Sequence, residues 1–322
     1  MHEPVHVIIP THLPRYLEFV LVGLARQTVA PATIIVTCDT DDPAIGECLA
    51  EWVPRCGLEV HWVRRPPVVF EGSKRERLCQ VRNNGVRYLA QALGRTDGRI
   101  LVLDGDTLAS DTCVEHHAAT PEDLVYPYRI NLTQQRTESL DAASLLAGDQ
   151  TLEPTHDDRI ELVRRDRRYR KHLVLRRFGL VERHKPKLLG GHFSVRTALY
   201  LELNGFDELY EGWGFKDDEF AERAARRGHV CTGGRPASVR VAVADILAWH
   251  LWHPTRQSPG RMAELPTYQR FRTRGRLPRV CGHGVEHPLA QSAPVGSAIG
   301  EPIHGVSIGS PPGIPNLPLE KG

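Results

Sequence analysis

The 322-residue sequence has no apolar run near the roughly 20 residues that a membrane-spanning helix needs. Its first residues, MHEPVHVIIPTH, contain neither a basic region nor a continuous apolar stretch, so we expect no secretory signal. The seven cysteines show neither the CxxC spacing of a zinc site nor the density of a disulfide scaffold. We therefore expect a cytoplasmic protein whose isolated cysteines are small, buried apolar residues.

The sequence also lacks a strong net charge, because 41 basic and 39 acidic side chains leave only +2 at pH 7. This balance excludes a chain that binds polyanions over its whole surface, and we expect no nucleic-acid partner. Hydrophobic residues make up 41% and charged residues 25% of the chain, which is ordinary for a globular protein. The length allows one large α/β domain or two smaller ones.

Short β-branched runs alternate with helical patterns as far as residue 103, which predicts an α/β fold with a mostly parallel, Rossmann-like sheet flanked by helices. The predicted strands cover residues 5–9, 33–37, 58–63 and 99–103, and the predicted helices cover 16–27, 45–53 and 76–93. Ligands of such sheets bind beyond the carboxyl ends of the strands. Because Thr11, Asp39 and Asp104 each follow a strand, we expect them to meet at that edge.

Asp104-Gly105-Asp106 directly follows the strand RILVL. Two carboxylates that bracket a glycine can reach one hard divalent cation, and the glycine leaves room for a bulky ligand. The same pattern also occurs as a plain acidic turn. Upstream, Arg82 and Asn83 could bind phosphate or brace these carboxylates, although Arg82 in isolation would be interpreted as an exposed helical arginine.

Residues 188–228 are the most informative stretch, with a Gly190-Gly191 pair, a predicted strand HFSVR and the tripeptide GWG at 212–214. An indole between two glycines, here Trp213, is suited to stacking on the face of a sugar. Three acids, residues 217–219, then open a predicted helix. Acids in a first turn suit the helix dipole, so one or two are expected to be structural, but their place beside Trp213 suggests a general base.

His250 and His253 lie in the apolar, aromatic sequence AWHLWHP. Neutral imidazole is a common metal ligand. Residues three apart in a strand point to opposite faces, so we expect only one of the two histidines to bind a metal.

Two segments lie outside this pattern. Residues 159–187 contain twelve Arg or Lys against three acids, which fits a solvated amphipathic helix or a surface for an anionic acceptor, a diphosphate or acidic lipid headgroups. From Val285 onward, 13 of the last 38 residues are Pro or Gly, so we expect a disordered tail over 285–322.

In this order the motifs resemble the family-2 glycosyltransferases of the GT-A fold, and above all those with a galactosyltransferase- or chondroitin-polymerase-like C-terminal region. The resemblance covers residues 5–255. It is carried by Pro10-Thr11, VRNNG at 81–85, Asp104–Asp106, GGHFS at 190–194, NGFDE at 204–208, GWGFKDDE at 212–219 and HLWH at 250–253.

The resemblance implies an inverting, metal-dependent hexosyltransferase, of the kind used in polysaccharide biosynthesis. Such an enzyme moves a sugar from a nucleotide-sugar, with UDP the expected nucleotide, to a hydroxyl of a saccharide, lipid-linked or small-molecule acceptor. It implies a GT-A domain at 1–284, with a nucleotide-binding half at 1–115, a variable basic insertion at 127–187 and an acceptor half at 188–256.

The resemblance also implies roles for individual residues. Asp217 is the expected catalytic base, with Asp218 beside it, and the expected metal is Mn²⁺ (or Mg²⁺) because a histidine joins the oxygen ligands. The expected metal ligands are Asp104 and Asp106 with His250 or His253. The expected donor contacts are Pro10, Thr11, Asp39 (or Asp41), Arg82, Asn83, Asp104, Asp106, Gly191 and Trp213.

Lys216 departs from this family pattern, since it stands where such enzymes carry a glutamate that often contacts the acceptor. It favours an alternative, a degenerate nucleotide-sugar-binding protein, or it could itself meet an anionic acceptor. A second alternative, a sugar nucleotidyltransferase, would carry a glycine-rich loop after the first strand, and PTHLPR contains no glycine. Peripheral contact with the inner face of the membrane through the basic block stays open.

Overall fold

The computed structural model describes residues 3–38, 40, 42–64, 77–181, 190–226, 239–242, 246–254, 264–273 and 280–286. The strands in these ranges are β1 (Val5–Pro10), β2 (Thr33–Cys38), β3 (His61–Arg64), β4 (Arg99–Leu103), β5 (Thr107–Ala109), β6 (Leu124–Pro127), β7 (Ile130–Asn131), β8 (His192–Arg196), β9 (Val239–Ala242) and β10 (Ala248–His250). The helices are α1 (Leu17–Ala25), α2 (Pro43–Arg55), α3 (Leu78–Arg87), α4 (Cys113–Ala119), α5 (Gln134–Glu138), α6 (Ala142–Ala147), α7 (His156–Arg177), α8 (Thr197–Glu202), α9 (Lys216–Arg226) and α10 (Pro266–Thr273).

The main sheet has seven strands in the order β3-β2-β1-β4-β8-β6-β9. Strands β1 to β4 pair in parallel, as the sequence predicts, and the predicted α/β fold is confirmed. The sheet is nevertheless mixed, because β8 runs antiparallel to both β4 and β6. The strand order reverses between β1 and β4, and the carboxyl ends of the strands at such a reversal form the usual binding crevice of an open α/β sheet.

A small second sheet, in the order β5-β10-β7, lies beyond the end of β4. Strand β10 pairs antiparallel with β5, with His250 opposite Thr107. This pairing brings a histidine from late in the chain next to Asp106, the residue that precedes β5.

The local sequence explains where several helices begin and end. The side chain of Asp42 accepts a hydrogen bond from the Ala44 amide at 3.0 Å and caps α2, with Pro43 in the first turn. The predicted helix at 76–93 begins at Leu78 and continues past α3 as a π-helical turn, Tyr88–Ala92. The six cysteines in the described ranges form no disulfide with one another, and four of them are buried.

An aromatic cluster forms the core beneath the second half of the sheet. Phe206 and Phe220 are fully buried and stack with ring centroids 4.5 Å apart. Val285 packs against the same core and its carbonyl accepts a hydrogen bond from Arg87. Ordered packing therefore extends past the boundary at 284 that the sequence predicts, while residues 287–322 of the predicted tail lie outside the described residues.

None of the helices in the described ranges combines the length and the apolar character that a membrane crossing requires.

The stacked pair gives a direct test of this core. Phe220→Ala removes a fully buried ring, and we expect the free energy of unfolding to fall by about 3–5 kcal/mol. The matched control is Phe178→Ala, because Phe178 is 72% exposed, and its effect should stay within about 0.5 kcal/mol. Urea unfolding followed by circular dichroism measures both, and equal effects would contradict the assigned core.

Candidate active site

The Asp104-Gly105-Asp106 turn lies at the reversal between β1 and β4. The Asp104 amide donates to the Gly191 carbonyl at 3.0 Å, and the Gly105 amide donates to the Pro10 carbonyl at 3.2 Å. A Cβ on Gly105 would lie 2.7 Å from Thr11 Oγ1, so only glycine lets the two turns approach this closely. The structure thus brings together Pro10, Thr11, the two carboxylates and Gly191, as the sequence predicts.

Arg82 connects this turn to a second acidic segment. Its side chain is 1% exposed, so the interpretation as an exposed helical arginine is wrong. Nη1 donates to Asp217 Oδ1 at 2.8 Å, and Nη2 lies 3.3 Å from Asp104 Oδ1 and donates to the Gly190 carbonyl at 2.6 Å. One buried guanidinium therefore holds two carboxylates that are 113 positions apart in the chain.

The electrostatics of Arg82 follow from these contacts. Burial alone would lower its pKa, but the nearby carboxylates of Asp217 and Asp104 more than offset this and raise it. The guanidinium also lies over the rings of Phe193 and Phe206, at 5.6 and 5.1 Å from their centroids. Arg82 thus stays charged in an apolar surrounding because its partners are fixed.

Asp106 faces the two histidines. Its Oδ2 lies 3.4 Å from His250 Nε2 and 3.3 Å from His253 Nε2. The expectation that the two side chains point to opposite faces is wrong, because both lie within 3.4 Å of Asp106 Oδ2 and β10 ends at His250. Tyr16 donates to the Trp252 carbonyl at 2.6 Å, and the Trp252 amide donates to Thr137 Oγ1 at 2.9 Å, which fixes the segment between the two histidines.

The two aspartates differ in their surroundings. Burial raises the pKa of Asp104, although Arg82 and Arg129 oppose the effect. Burial also acts to raise the pKa of Asp106, but hydrogen bonds to His250 and His253 reverse the direction and lower it. The Asp106 hydrogen bond in turn raises the pKa of His253. Asp106 is therefore the more readily ionised of the pair.

Asp106, His250 and His253 form a donor set that fits a divalent cation, whereas Asp104 pairs with Arg82. The three ligand atoms lie within 4.8 Å of one another. Ligands bound at about 2.1 Å at right angles would be about 3 Å apart, close to the observed nitrogen–oxygen distances. One carboxylate and two imidazoles suit Mn²⁺ better than Mg²⁺.

Arg129 is a site residue that the sequence interpretation missed. Its Nη1 lies 3.6 Å from Asp106 Oδ1, 3.9 Å from Asp104 Oδ2 and 2.8 Å from Thr107 Oγ1. It follows β6 in the segment 127–187, which matches no motif, so no pattern in the sequence marks it. Arg165 of α7 donates to the Arg129 carbonyl at 2.9 Å, which ties the basic helix to this edge of the site.

The three acids at the start of α9 have different roles. Asp217 faces Arg82 with 22% of its side chain exposed, whereas Asp218 is 5% exposed. Glu219 pairs with Arg223 of its own helix through both carboxylate oxygens, in a fully buried bridge. Glu219 is thus structural, as expected for one of the three. Lys216, the departure from the family pattern, is only 4% exposed.

Two glycines make room for the charged side chains. A Cβ on Gly190 would lie 1.7 Å from Asp217 Oδ1, and one on Gly191 would lie 2.3 Å from Arg129 Nη1. Any larger residue would therefore displace a site side chain. The observed positions of Asp217 and Arg129 therefore require glycine at positions 190 and 191.

Trp213 is 54% exposed between two glycines with positive φ, 86° at Gly212 and 89° at Gly214. Thr267 of α10 donates to the Trp213 carbonyl at 2.7 Å and holds the backbone in place. The indole is thus presented at the surface, as the GWG pattern predicts.

Asn83 does not match its predicted contact with the donor. Its amide is fully buried and bonds to the Phe206 backbone, Glu208 and the Tyr200 hydroxyl, so it fixes the NGFDE turn. The Thr11 hydroxyl likewise donates to the Leu13 carbonyl. Asp39 and Asp41 lie outside the described residues.

Residues 172–238 match a family model described as the N-terminal domain of galactosyltransferase. This part of the chain is therefore similar to a glycosyltransferase domain. The predicted resemblance to glycosyltransferases with a galactosyltransferase-like C-terminal region is confirmed by this match, which includes the glycine pair, Trp213 and the Asp217 helix.

Other likenesses are more distant. The chain is similar to S. aureus TarS in complex with UDP-GlcNAc, at 14% identity over 79% of this chain and 60% of that one, with a TM-score of 0.48. It is also similar to glucosyl-3-phosphoglycerate synthase from Mycobacterium tuberculosis in complex with Mn²⁺, UDP and glucosyl-3-phosphoglycerate, at 16% identity over 83% and 76% of the chains, with a TM-score of 0.42.

One curated relative, a glycerol-3-phosphate dehydrogenase [NAD(P)+] from Parafrankia sp. (strain EAN1pec), is 35% identical over 113 residues. The match covers 33% of this chain and 31% of that protein, so the chain spans less than a third of its length. The present sequence contains no G-x-G-x-x-G dinucleotide-binding fingerprint.

Arg82 supplies the test of how the site is held together. Arg82→Met leaves two partly buried carboxylates without their shared cation, and we expect the free energy of unfolding to fall by about 3–5 kcal/mol. The control variant, Arg55→Met, removes a surface ion pair with Glu51. We expect its free energy of unfolding to fall by only about 0–1 kcal/mol. Urea unfolding measures the loss of unfolding free energy in both variants. A loss in Arg82→Met that is no larger than the loss in Arg55→Met would contradict the assigned brace.

Proposed function

We propose that this protein is an inverting glycosyltransferase that moves a sugar from a nucleotide-sugar to an acceptor hydroxyl. The observation that carries the proposal is the Arg82 brace, which joins the Asp104 turn, where a donor diphosphate would bind, to Asp217. A single displacement at the anomeric carbon needs a general base close to the bound diphosphate, and a carboxylate in this position can be that base. The match to a galactosyltransferase family model supports the same reaction class.

In the proposed reaction, Asp217 is the general base. The acceptor oxygen attacks the anomeric carbon as its proton passes to the Asp217 carboxylate, and the bond from that carbon to the diphosphate breaks. Arg82 binds Oδ1 of Asp217, so we assign the proton to Oδ2. Attack opposite the leaving group inverts the anomeric centre. Trp213, exposed at the rim, would stack on a sugar ring.

We further propose that Asp106, His250 and His253 hold Mn²⁺. The support is the donor set described above, with one ionised carboxylate and two imidazoles directed at one point. When bound, the cation would offset the negative charge of the departing nucleoside diphosphate. Arg129 would add a fixed positive charge on the same side, since it lies within 4 Å of both aspartates.

The degenerate binding protein remains the second candidate, favoured by the lysine at position 216. A sugar nucleotidyltransferase is less well supported, because the turn after β1 has no glycine to cradle a triphosphate. The two rivals would behave differently in an assay. A binding protein would hold a UDP-sugar without turnover, and a nucleotidyltransferase would consume a sugar phosphate and release pyrophosphate.

Replacement of the proposed base tests the reaction. With a panel of UDP- and GDP-sugars and candidate acceptors, nucleoside diphosphate release is the measurement. Asp217→Asn should lower kcat about 10²–10⁴-fold, because the amide cannot take a proton. Asp166→Asn, which changes an acid of α7 paired with Arg170, should keep full activity. Full activity of a folded Asp217→Asn protein would refute the base assignment, and donor binding without turnover by the unmodified protein would favour the binding protein.

The metal role has its own test. EDTA should abolish turnover and Mn²⁺ should restore it. Electron paramagnetic resonance should show weaker Mn²⁺ binding to His250→Ala and His253→Ala by at least tenfold each. His156→Ala, at the exposed start of α7, is the matched control and should bind Mn²⁺ normally. Turnover that persists in EDTA would exclude the proposed metal role.

We also propose that α7 contacts an anionic membrane surface. Ile160, Val163 and Val174 of α7, together with Phe178 just after the helix, are 36–72% exposed. Exposed basic residues lie among them, including Arg159, Arg164, Arg167 and Lys171. Another face of α7 packs against the protein, because Leu162 is buried in the core. A basic surface that also exposes apolar side chains fits contact with acidic lipid headgroups.

Vesicle sedimentation tests this contact. The protein should pellet with vesicles that contain acidic phospholipid, and less so at high salt or with purely zwitterionic vesicles. Phe178→Asp should weaken pelleting at least tenfold. Val280→Asp, at another exposed valine, should leave it unchanged. No preference for acidic vesicles would refute the proposal.

A further inference from the structure

A second cluster of metal-ligand side chains lies behind the active-site edge, in the core. Cys113, His117 and His192 are all fully buried, and their ligand atoms lie within 4.8 Å of one another. The proposed reaction assigns them no role, and neither do the residue roles that the resemblance implies. They come from two elements, the helix α4 and the first residue of β8.

The arrangement follows from the local sequence. Cys113 and His117 are four residues apart on α4, so their side chains lie on the same face one turn apart. His192 pairs with Leu103 across the β4–β8 ladder, one position before the Asp104 turn. This register directs His192 at the α4 pair.

The distances between the donor atoms are close to those around a single zinc ion. His117 Nε2 lies 2.9 Å from His192 Nε2, and Cys113 Sγ lies 3.5 Å from the same nitrogen. Tetrahedral bonds of about 2.0–2.1 Å to nitrogen and about 2.3 Å to sulfur would separate these pairs by about 3.3 and 3.6 Å. The Nε2 atoms of the two histidines would have to move apart by only a few tenths of an ångström to admit the ion.

One of the two histidines has the second hydrogen bond that is typical of a metal ligand. His117 Nδ1 lies 2.7 Å from Ser194 Oγ, a hydrogen bond that fixes the ring so that Nε2 faces the other two donors. Burial, and to a smaller extent Arg129, lower the pKa of His192 to about 3, which keeps the ring neutral. Nδ1 of His192 has no hydrogen-bond partner among the described residues.

We propose that Cys113, His117 and His192 form a buried Zn²⁺ site that joins α4 to the start of β8. A thiolate and two imidazoles favour Zn²⁺, whereas the carboxylate-containing set at Asp106 favours Mn²⁺, so the two sites would take different metals. On binding, the Cys113 thiol loses its proton to solvent and the sulfur takes the ion. The ion would stiffen the strand end that carries Gly190 and Gly191.

Cobalt substitution tests the site in the full chain. The metal-free protein is incubated with Co²⁺, and a sulfur-to-cobalt charge-transfer band in the near ultraviolet reports thiolate ligation. We expect the band in the unmodified protein and in Cys48→Ser, whose cysteine lies in α2. It should be lost in Cys113→Ser. It should persist in Asp106→Asn, because the Asp106 set contains no sulfur.

Zinc retention gives an independent measurement. After incubation with Zn²⁺ and gel filtration, mass spectrometry should find about one zinc per chain in the unmodified protein and Asp106→Asn, and none in Cys113→Ser. Zn²⁺ should also raise the Tm of the unmodified protein. A folded, unmodified protein that shows no charge-transfer band and retains no zinc would overturn the proposal, leaving a hydrogen-bonded pair of neutral histidines. Zinc retained equally by Cys113→Ser, or lost in Asp106→Asn, would overturn it as well.

Discussion

The buried guanidinium of Arg82 is the interaction on which the rest of the site depends. A charge this far from water is stable only when carboxylates and carbonyls surround it, and here Asp104, Asp217 and Gly190 do so. The same contacts fix the position of both acids. Gly190 must lack a side chain for this, because a Cβ there would overlap the Asp217 carboxylate. Sequence elements far apart in the chain are thereby locked into one geometry.

The two aspartates of the turn have different partners, and we therefore assign them different functions. Asp104 faces Arg82, whereas Asp106 faces His250 and His253. One carboxylate thus belongs to the brace and the other to the proposed metal site. The short β5–β10 ladder makes this division possible, because it brings the late histidines next to a turn that follows β4. The fold uses a second, small sheet to complete a site that the main sheet begins.

Much of this arrangement is predictable from the sequence, but not all of it. Local patterns are enough to predict the strand RILVL and the Asp104 turn, because the apolar run and the turn residues lie within a few positions of one another. The joint approach of His250 and His253 to Asp106 is not predictable from strand alternation, because β10 ends at His250 and His253 lies beyond it. Arg129 has no motif around it, and its role exists only through tertiary contacts. The spacing of Cys113 and His117 is visible in the sequence, but their third partner, His192, is 75 positions away and becomes a neighbour only on folding.

The central claim is that the Asp104 turn, the Asp106–His250–His253 set and Asp217 form one donor site at the β1–β4 reversal. A crystal structure of the protein with Mn²⁺ and UDP tests it most directly. We expect Mn²⁺ within ligand distance of Asp106 and both histidines, a diphosphate oxygen on the ion, and the Arg82 brace unchanged behind it. UDP bound elsewhere on the molecule, or Mn²⁺ absent from these three side chains while UDP is bound, would contradict it.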